Sequence, residues 1–133
     1  MARLLVIDDD EILRETIVSG LRQAGHIVVP ASTGREGTRL FRLEPADAVI
    51  TEIVVPDQDG LETVTELRKD FPDVPIIAIS GRSAHAPLYL RLAARLGARR
   101  TLAKPFTVPD LLSVIDEVLA EDPGQPPADK SVS

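Results

Sequence analysis

Five short apolar runs alternate with five longer amphipathic segments along the sequence, and this alternation limits the possible folds most strongly. The runs contain mainly aliphatic residues, which is typical of strands covered on both faces. Because each run precedes a segment of helical periodicity, the sequence predicts a parallel sheet between two layers of helices. Pro30 suits an edge strand, where its missing N–H costs no ladder bond. We therefore predict a doubly wound α/β domain with strands at residues 4–7, 27–29, 48–51, 76–79 and 101–103.

Several residues at the predicted helix ends favour starting or stopping a helix. Asp10 is a candidate N-cap for the first helix, and Gly25 is expected to end it. Thr33 with Glu36 has the spacing of a capping box, and Thr107 with Asp110 caps the last helix.

The fourth helix is predicted to begin near Pro87 and to end at Gly97. Leu88, Leu92 and Leu96 recur at intervals of about one helical turn. We expect these three leucines to form its apolar stripe.

The composition excludes several function classes. The length of 133 residues suits one domain, and its core must be aliphatic because aromatic residues make up only 3% of the chain. A net charge of -6 argues against general affinity for nucleic acid or anionic membranes. The absence of cysteine excludes thiol catalysis and Cys-ligated metals. No apolar stretch reaches transmembrane length, so we expect a cytoplasmic protein.

The segment 122–133 is rich in Pro, Gly, Asp and Ser and contains little that a core could bury. Such a composition is typical of a disordered tail or of the start of a linker. We therefore place the folded domain at residues 1–121.

Polar side chains stand at or just after the ends of four predicted strands. They are Asp8 and Asp9 after the first, Glu52 after the third, Ser80 after the fourth and Lys104 after the fifth. In parallel sheets these ends meet at one edge, which is where ligands bind in open α/β folds. Three carboxylates, a hydroxyl and an ammonium suit a divalent cation, such as Mg²⁺, together with a phosphoryl-like anion.

Each of these side chains also has an ordinary structural explanation. An acidic residue after a strand often caps a turn or a helix, a strand-end serine often caps a turn, and a single lysine is usually a surface charge. The functional interpretation depends on four separate segments delivering complementary groups to the same edge.

Five motifs together resemble the receiver domains of two-component response regulators. The similarity extends from residue 3 to about residue 120 in order and spacing. It implies a flavodoxin-like (βα)5 fold with strand order 2-1-3-4-5. It also implies a role in phosphorelay signalling, with a sensor histidine kinase or another signalling protein as partner. The motifs are Leu-Leu-Val-Ile-Asp-Asp-Asp at 4–10, the stretch 48–60, Ile-Ile-Ala-Ile-Ser-Gly at 76–81, Leu-Gly-Ala at 96–98 and Lys-Pro-Phe at 104–106.

The resemblance also assigns roles to individual positions. Asp8 and Asp9 resemble the family's acidic pair, with Asp9 the more direct ligand of Mg²⁺. Glu52 and the backbone carbonyl of Val54 would complete the metal ligands. By the same resemblance Ser80 contacts the phosphoryl group, Lys104 bonds it, and Pro105 is a cis-proline.

Glu52 departs from the family, which has its phospho-accepting aspartate at this position. The additional methylene moves the carboxylate outward by about 1.5 Å, and a misplacement of about 1 Å can cost on the order of a hundredfold in rate. We therefore expect that Glu52 is not efficiently phosphorylated and that Mg²⁺ binding is weakened or absent. The domain would act by protein–protein interaction, as a partial mimic of the phosphorylated state and not as an enzyme.

The predicted output surface also differs from the family pattern. Thr101 stands where the family often has a rotating aromatic residue, so the aromatic part of the switch is expected to be missing. The segment 74–109 contains basic residues but no acidic ones, which suggests a docking surface for an acidic partner or a homodimer formed through the face 82–120. No recognition helix is evident, so we expect no direct contact with nucleic acid. The basic residues are Arg82, Arg91, Arg95, Arg99, Arg100 and Lys104.

Two other functions fit parts of the pattern. A Mg²⁺-dependent phosphoryl-transfer or phosphatase-like domain could use Asp8 or Asp9 as nucleophile, although no lid or substrate pocket is apparent. A flavin or nucleotide binder would share the architecture, but three aspartates stand where the Gly-rich turn would be needed.

Overall fold

The computed structural model describes residues 1–53, 60–80 and 86–121, with the side chain of residue 86 left out. Strands and helices alternate along the whole described chain. The strands are β1 (Arg3–Ile7), β2 (Ile27–Ala31), β3 (Ala48–Glu52), β4 (Ile76–Ser80) and β5 (Arg100–Ala103). The helices are α1 (Glu11–Gln23), α2 (Gly34–Leu43), α3 (Gly60–Asp70), α4 (Ala86–Leu96) and α5 (Val108–Ala120).

The five strands form one parallel sheet in the order β2-β1-β3-β4-β5. This confirms the predicted flavodoxin-like architecture and strand order. β2 lies at an edge and continues two residues beyond its predicted end, so that it includes Pro30. An edge strand tolerates this proline because its outer side has no ladder partner.

Helices cover both faces of the sheet because successive strand residues point to opposite sides. Leu4 and Val6 face the layer of α1 and α5, whereas Leu5 and Ile7 face the layer of α2, α3 and α4. The core is aliphatic on both faces, as the composition predicts.

The helix caps agree with the sequence at three positions and differ at one. The side chain of Asp10 accepts the N–H of Leu13, and Thr107 with Asp110 forms a reciprocal capping box. Thr33 accepts the N–H of Glu36, but the Glu36 carboxylate accepts the N–H of Ser32 at 2.8 Å instead of that of Thr33. The predicted capping box at α2 is therefore displaced by one residue.

The three leucines expected to form the apolar stripe of α4 do not all face the core. Leu88 and Leu96 are 47% and 39% exposed, whereas Tyr89, Leu90 and Ala93 pack against the core. The helix has leucines on more than one side, so periodicity alone does not select a face. Its contacts with α3, β4 and β5 decide which side is buried.

Two further findings concern the whole described chain. Within residues 1–53, 60–80 and 86–121, no helix combines the length and the apolar character that a membrane span requires. The predicted tail 122–133 lies outside the described residues, so the prediction about it stays open.

Candidate functional site

The four strand ends bring their polar side chains to one edge of the sheet, as predicted. Asp8 follows β1, Glu52 ends β3 and Ser80 ends β4. Lys104 follows β5, and its backbone N–H donates to the Ser80 carbonyl at 2.9 Å. Parallel pairing of β1, β3, β4 and β5 therefore brings the strand ends together, and among the predicted acidic groups Asp9 is the exposed one.

Lys104 lies between two buried carboxyl groups. Its Nζ is 3.2 Å from Oε1 of Glu52 and 3.3 Å from Oδ2 of Asp8. Asp8 and Glu52 are only 1% and 6% exposed. Little solvent screens these contacts, so one ammonium compensates two acidic groups in a confined space.

Local hydrogen bonds hold Asp8 in its orientation. Its Oδ1 accepts a hydrogen bond from the backbone N–H of Asp10 at 2.9 Å, and its backbone carbonyl accepts one from Nη1 of Arg14 at 2.7 Å. Asp8 therefore turns its second oxygen toward Lys104. The sequence analysis missed the supporting role of Arg14, because an arginine in the first turns of a helix has no distinctive pattern.

The start of α3 packs directly on the end of the strand that carries Glu52. The N–H of Gly60 donates to the carbonyl of Ile53 at 3.0 Å, and a Cβ at Gly60 would lie 2.0 Å from Cα of Ile53. Only glycine allows this approach, which fixes the position of the β3 end.

The acidic side chains can form the ligand set of a divalent cation. Carboxylate oxygens of Asp8, Asp9 and Glu52 lie within 4.8 Å of one another. Oε2 of Glu52 is buried without a hydrogen-bond partner among the described residues, and the contact of Oδ2 of Asp8 there is its ion pair with Lys104. Hard oxygen donors with spare lone pairs suit Mg²⁺. Val54, the remaining predicted ligand, lies outside the described residues.

Electrostatics at the site favour a proton on Glu52. Burial raises the pKa of Glu52 to about 8, with contributions from hydrogen bonding to Asp8 and Asp9 and from the charge of Asp8, while Lys104 opposes the shift. Burial lowers the pKa of Lys104, but Asp8 and Glu52 raise it more, so its pKa lies above the ordinary value. In the protein alone these shifts favour the protonated form of Glu52 and the charged form of Lys104.

Ser80 and Thr101 occupy the positions that the sequence predicts for them. Ser80 is 1% exposed, and its Oγ has no hydrogen-bond partner in the described part of the chain, so it does not bond Glu52. Thr101 is exposed on β5. Pro105 follows a cis peptide bond, which confirms that prediction.

The basic residues of the predicted docking surface do not form one face. Arg91 and Arg95 are exposed on α4, but Arg99 is buried and Lys104 belongs to the acidic site. Arg100 pairs with Glu121 at 2.9 Å and with Glu117 at 3.6 Å, because α5 places these acidic side chains beside β5. The last member, Arg82, lies outside the described residues.

Comparison of the sequence with known proteins gives a consistent result. The family described as "Response regulator receiver domain" matches residues 4–116. "Response regulator MprA" of Mycolicibacterium vanbaalenii is 36% identical over 111 residues, which cover 84% of this chain and 47% of that protein. "DNA-binding transcriptional regulator NtrC" of Azospirillum brasilense is 34% identical over 132 residues, covering 96% and 27%. The chain spans about half the length, or less, of these curated relatives.

Solved structures show the same fold. The receiver domain of NtrX from Brucella abortus has a TM-score of 0.84 and 26% identity, and the match covers 90% of this chain and 99% of that one. The chemotaxis response regulator CheY4 of Vibrio cholerae has a TM-score of 0.80 and 28% identity, with coverages of 89% and 98%. A response regulator receiver domain protein from Clostridium thermocellum has a TM-score of 0.82 and 31% identity, with coverages of 90% and 94%.

Proposed function

This chain belongs to the response regulator receiver domain family, and we propose that it is a signalling module whose acceptor position, Glu52, is not efficiently phosphorylated. Receiver domains are generally signalling modules of two-component systems. The proposal concerns how this member signals: it binds partner proteins in a shape that partly imitates the phosphorylated state. Its partner would be a sensor histidine kinase or another signalling protein.

The contact between Glu52 and Lys104 carries this proposal. Lys104 occupies the position of the lysine that bonds the phosphoryl group in the family, and its Nζ is 3.2 Å from Oε1 of Glu52. The longer acidic side chain thus engages this lysine directly.

The same side chain is poorly placed as a nucleophile. Its carboxyl group extends about 1.5 Å beyond that of an aspartate on the same backbone, into the space in which the phosphorus atom would have to lie. Because a displacement of about 1 Å can lower a rate on the order of a hundredfold, the acceptor reaction would be slow. Its raised pKa of about 8 further reduces the fraction of the nucleophilic carboxylate at neutral pH.

The mimicry is mainly positional. A phosphorylated side chain would add about 1.5 to 2 negative charges and three acceptor oxygens, whereas the raised pKa of Glu52 favours its uncharged form unless a cation binds beside it. Glu52 holds Lys104 in place without supplying the full charge. We therefore expect partner affinities between those of an unphosphorylated receiver and a phosphorylated one.

Mg²⁺ would be held by Asp8, Asp9 and Glu52, with the Val54 carbonyl added by resemblance. The cation would supply positive charge that neutralises the carboxylates and favours the ionised form of Glu52. Receiver domains typically bind Mg²⁺ at such an acidic cluster, and the donor atoms of this chain fit that role.

A phosphodonor experiment tests the proposal. The purified chain is incubated with acetyl phosphate and Mg²⁺, and its intact mass is measured over time. We expect no stable adduct on the native chain. The Glu52→Asp variant is expected to gain about 80 Da, the mass of one phosphoryl group.

The variant also serves as the matched control, because it shows that the donor and the rest of the site are competent. A stable adduct that peptide mapping locates at Glu52 of the native chain would refute the proposal. An unmodified Glu52→Asp variant would show that departures elsewhere in the site matter more than the length of this side chain.

A further inference from the structure

A groove of about 860 Å³ lies at the end of the sheet opposite the acidic site. Residues just before all five strands line it, among them Asp47 before β3, Pro75 before β4 and Arg99 before β5. The amino ends of the strands therefore form its floor. None of the residues that line this groove belongs to the acidic site.

Arg99 is a largely buried cation with one distant ion-pair partner. Its side chain is 7% exposed, and its closest acidic atom is Oε1 of Glu121, 3.7 Å from Nη1. None of its guanidinium nitrogens is among the buried atoms that lack a partner in the described part of the chain, and the side chain lines the groove. Oε1 of Glu121 is buried without a hydrogen bond to a described residue, since Arg100 bonds the other oxygen. The N–H groups of Arg99 are therefore available to an acceptor that lies in the groove.

The neighbouring Arg68 shows what kind of acceptor suits a guanidinium here. It donates to three main-chain carbonyls, those of Gly97, Phe71 and Pro72. Burial lowers the pKa of Arg68, and the charge of Arg99 lowers it further, so the two cations are within electrostatic reach of each other. Arg99 differs from Arg68 in lacking the carbonyl oxygens.

The rim of the groove has the opposite charge. Asp47, Asp73 and Asp116 are exposed, and none of them forms an ion pair among residues 1–53, 60–80 and 86–121. Two other carboxylates of the lining, Asp70 and Glu121, already have arginine partners. Apolar surface lies between the acidic groups, supplied by Phe71, Pro72, Val74 and Leu119.

We propose that this groove docks an extended, basic polypeptide segment of a partner protein. Main-chain carbonyls of the segment accept hydrogen bonds from Arg99, and its Lys or Arg side chains pair with Asp47, Asp73 and Asp116. Its apolar side chains cover the prolines and Phe71. The net charge of -6 favours approach of a basic partner over longer distances.

Nuclear magnetic resonance tests the proposal. The ¹⁵N-labelled chain is titrated with a blocked peptide, Lys-Leu-Pro-Lys-Leu, and with a matched peptide in which Glu replaces both Lys. We expect saturable amide shifts at the groove with the basic peptide and at least tenfold weaker binding of the acidic one. Shifts confined to the region of Asp8 and Glu52 would overturn the proposal, as would stronger binding of the acidic peptide.

Variants assign the contacts. Arg99→Met is expected to weaken binding of the basic peptide at least tenfold, and Asp73→Asn combined with Asp116→Asn severalfold. Arg91→Met removes an exposed arginine of α4 and should leave the affinity unchanged. The aspartate variants keep the test decisive if Arg99→Met fails to fold. Unchanged affinity in those variants would overturn the proposal.

Two further measurements separate other occupants of the groove. If removal of residues 122–133 alone shifts the groove amides, the chain's own C-terminal segment occupies the groove and the proposal is wrong. If dilution alone shifts them, a second copy occupies it, and the proposal is equally wrong. Unchanged spectra in both cases support a separate partner.

Discussion

The pKa of Glu52 depends on two opposing influences. Burial and the neighbouring carboxyl groups raise its pKa, whereas the ammonium of Lys104 lowers it, and the balance lies at about 8. A glutamate in an unfolded chain titrates near 4.3. The folded protein therefore binds more protons than the unfolded chain between these two values. Its free energy of unfolding must fall as the pH rises through this window.

This linkage predicts the effect of Glu52→Gln. The native chain should lose up to about 1.4 kcal/mol of stability per pH unit between the two pKa values, relative to the variant. The cause is that glutamine imitates the protonated acid and does not titrate. Urea unfolding at pH 5, 6, 7 and 8 in the presence of a chelator measures both curves. Parallel curves would mean that Glu52 titrates normally in the folded state.

Arg68 links the C-terminal ends of α3 and α4. Its guanidinium donates to the Gly97 carbonyl beyond the end of α4, from Nε at 3.2 Å and Nη2 at 2.8 Å, and to the carbonyl of Pro72 beyond α3. A cation near two helix C-termini is also favourable because carbonyl dipoles point toward it. Gly97 has φ of +127°, and a Cβ there would lie 2.8 Å from the Arg68 side chain. A side chain at position 97 would therefore be strained by this backbone conformation and would crowd Arg68.

Loss of this link should destabilise the fold. We expect Arg68→Leu to lower the free energy of unfolding by about 1 to 2 kcal/mol, because partly buried carbonyls lose a charged donor. Lys69→Leu removes an exposed cation from the same helical turn and should cost less than about 0.5 kcal/mol. Urea unfolding compares the two variants. Equal losses would show that general charge near the helix end matters and that the specific hydrogen bonds do not.

The whole molecule separates two regions of different chemistry at opposite ends of one sheet. Asp8, Glu52 and Lys104 lie at the carboxyl ends of the strands, and Arg99 lies in the groove at their amino ends. Parallel strands make this division unavoidable, because every strand starts at one end and finishes at the other. Ligand binding at either end should stabilise the entire fold, since only the folded chain assembles the site.

The stabilisation of the fold by Mg²⁺ should therefore depend on pH. Mg²⁺ at about 100 times its dissociation constant should stabilise the fold by about 2.7 kcal/mol, with weaker binding at pH 6 than at pH 8, because Glu52 must release its proton. Thermal unfolding with and without Mg²⁺ measures the shift. Asp9→Asn should reduce it strongly, whereas Glu15→Gln, an exposed acid of α1, should not. A shift that does not vary with pH would contradict the proposed role of Glu52 as a ligand.

Local patterns in the sequence were sufficient to predict the alternating strands and helices and the polar side chains that the structure brings to one edge of the sheet. Apolar runs, Asp10 as a cap and the strand-end positions of Asp8, Glu52, Ser80 and Lys104 are properties of short segments, and parallel pairing then brings the strand ends together. The strand order came from resemblance to a family and was confirmed by the sheet itself.

Tertiary structure alone decided the features that depend on distances between separate segments. Lys104 contacts both Asp8 and Glu52, Arg99 is buried, and α4 packs Tyr89 against the core while Leu88 is exposed. The periodicity of α4 allowed more than one face, and the arginines of the segment 74–109 had no acidic neighbour in sequence. Packing of α3 and α5 against the sheet selected the partners, because interaction energies depend on spatial separation and on burial, which no single segment of the sequence determines.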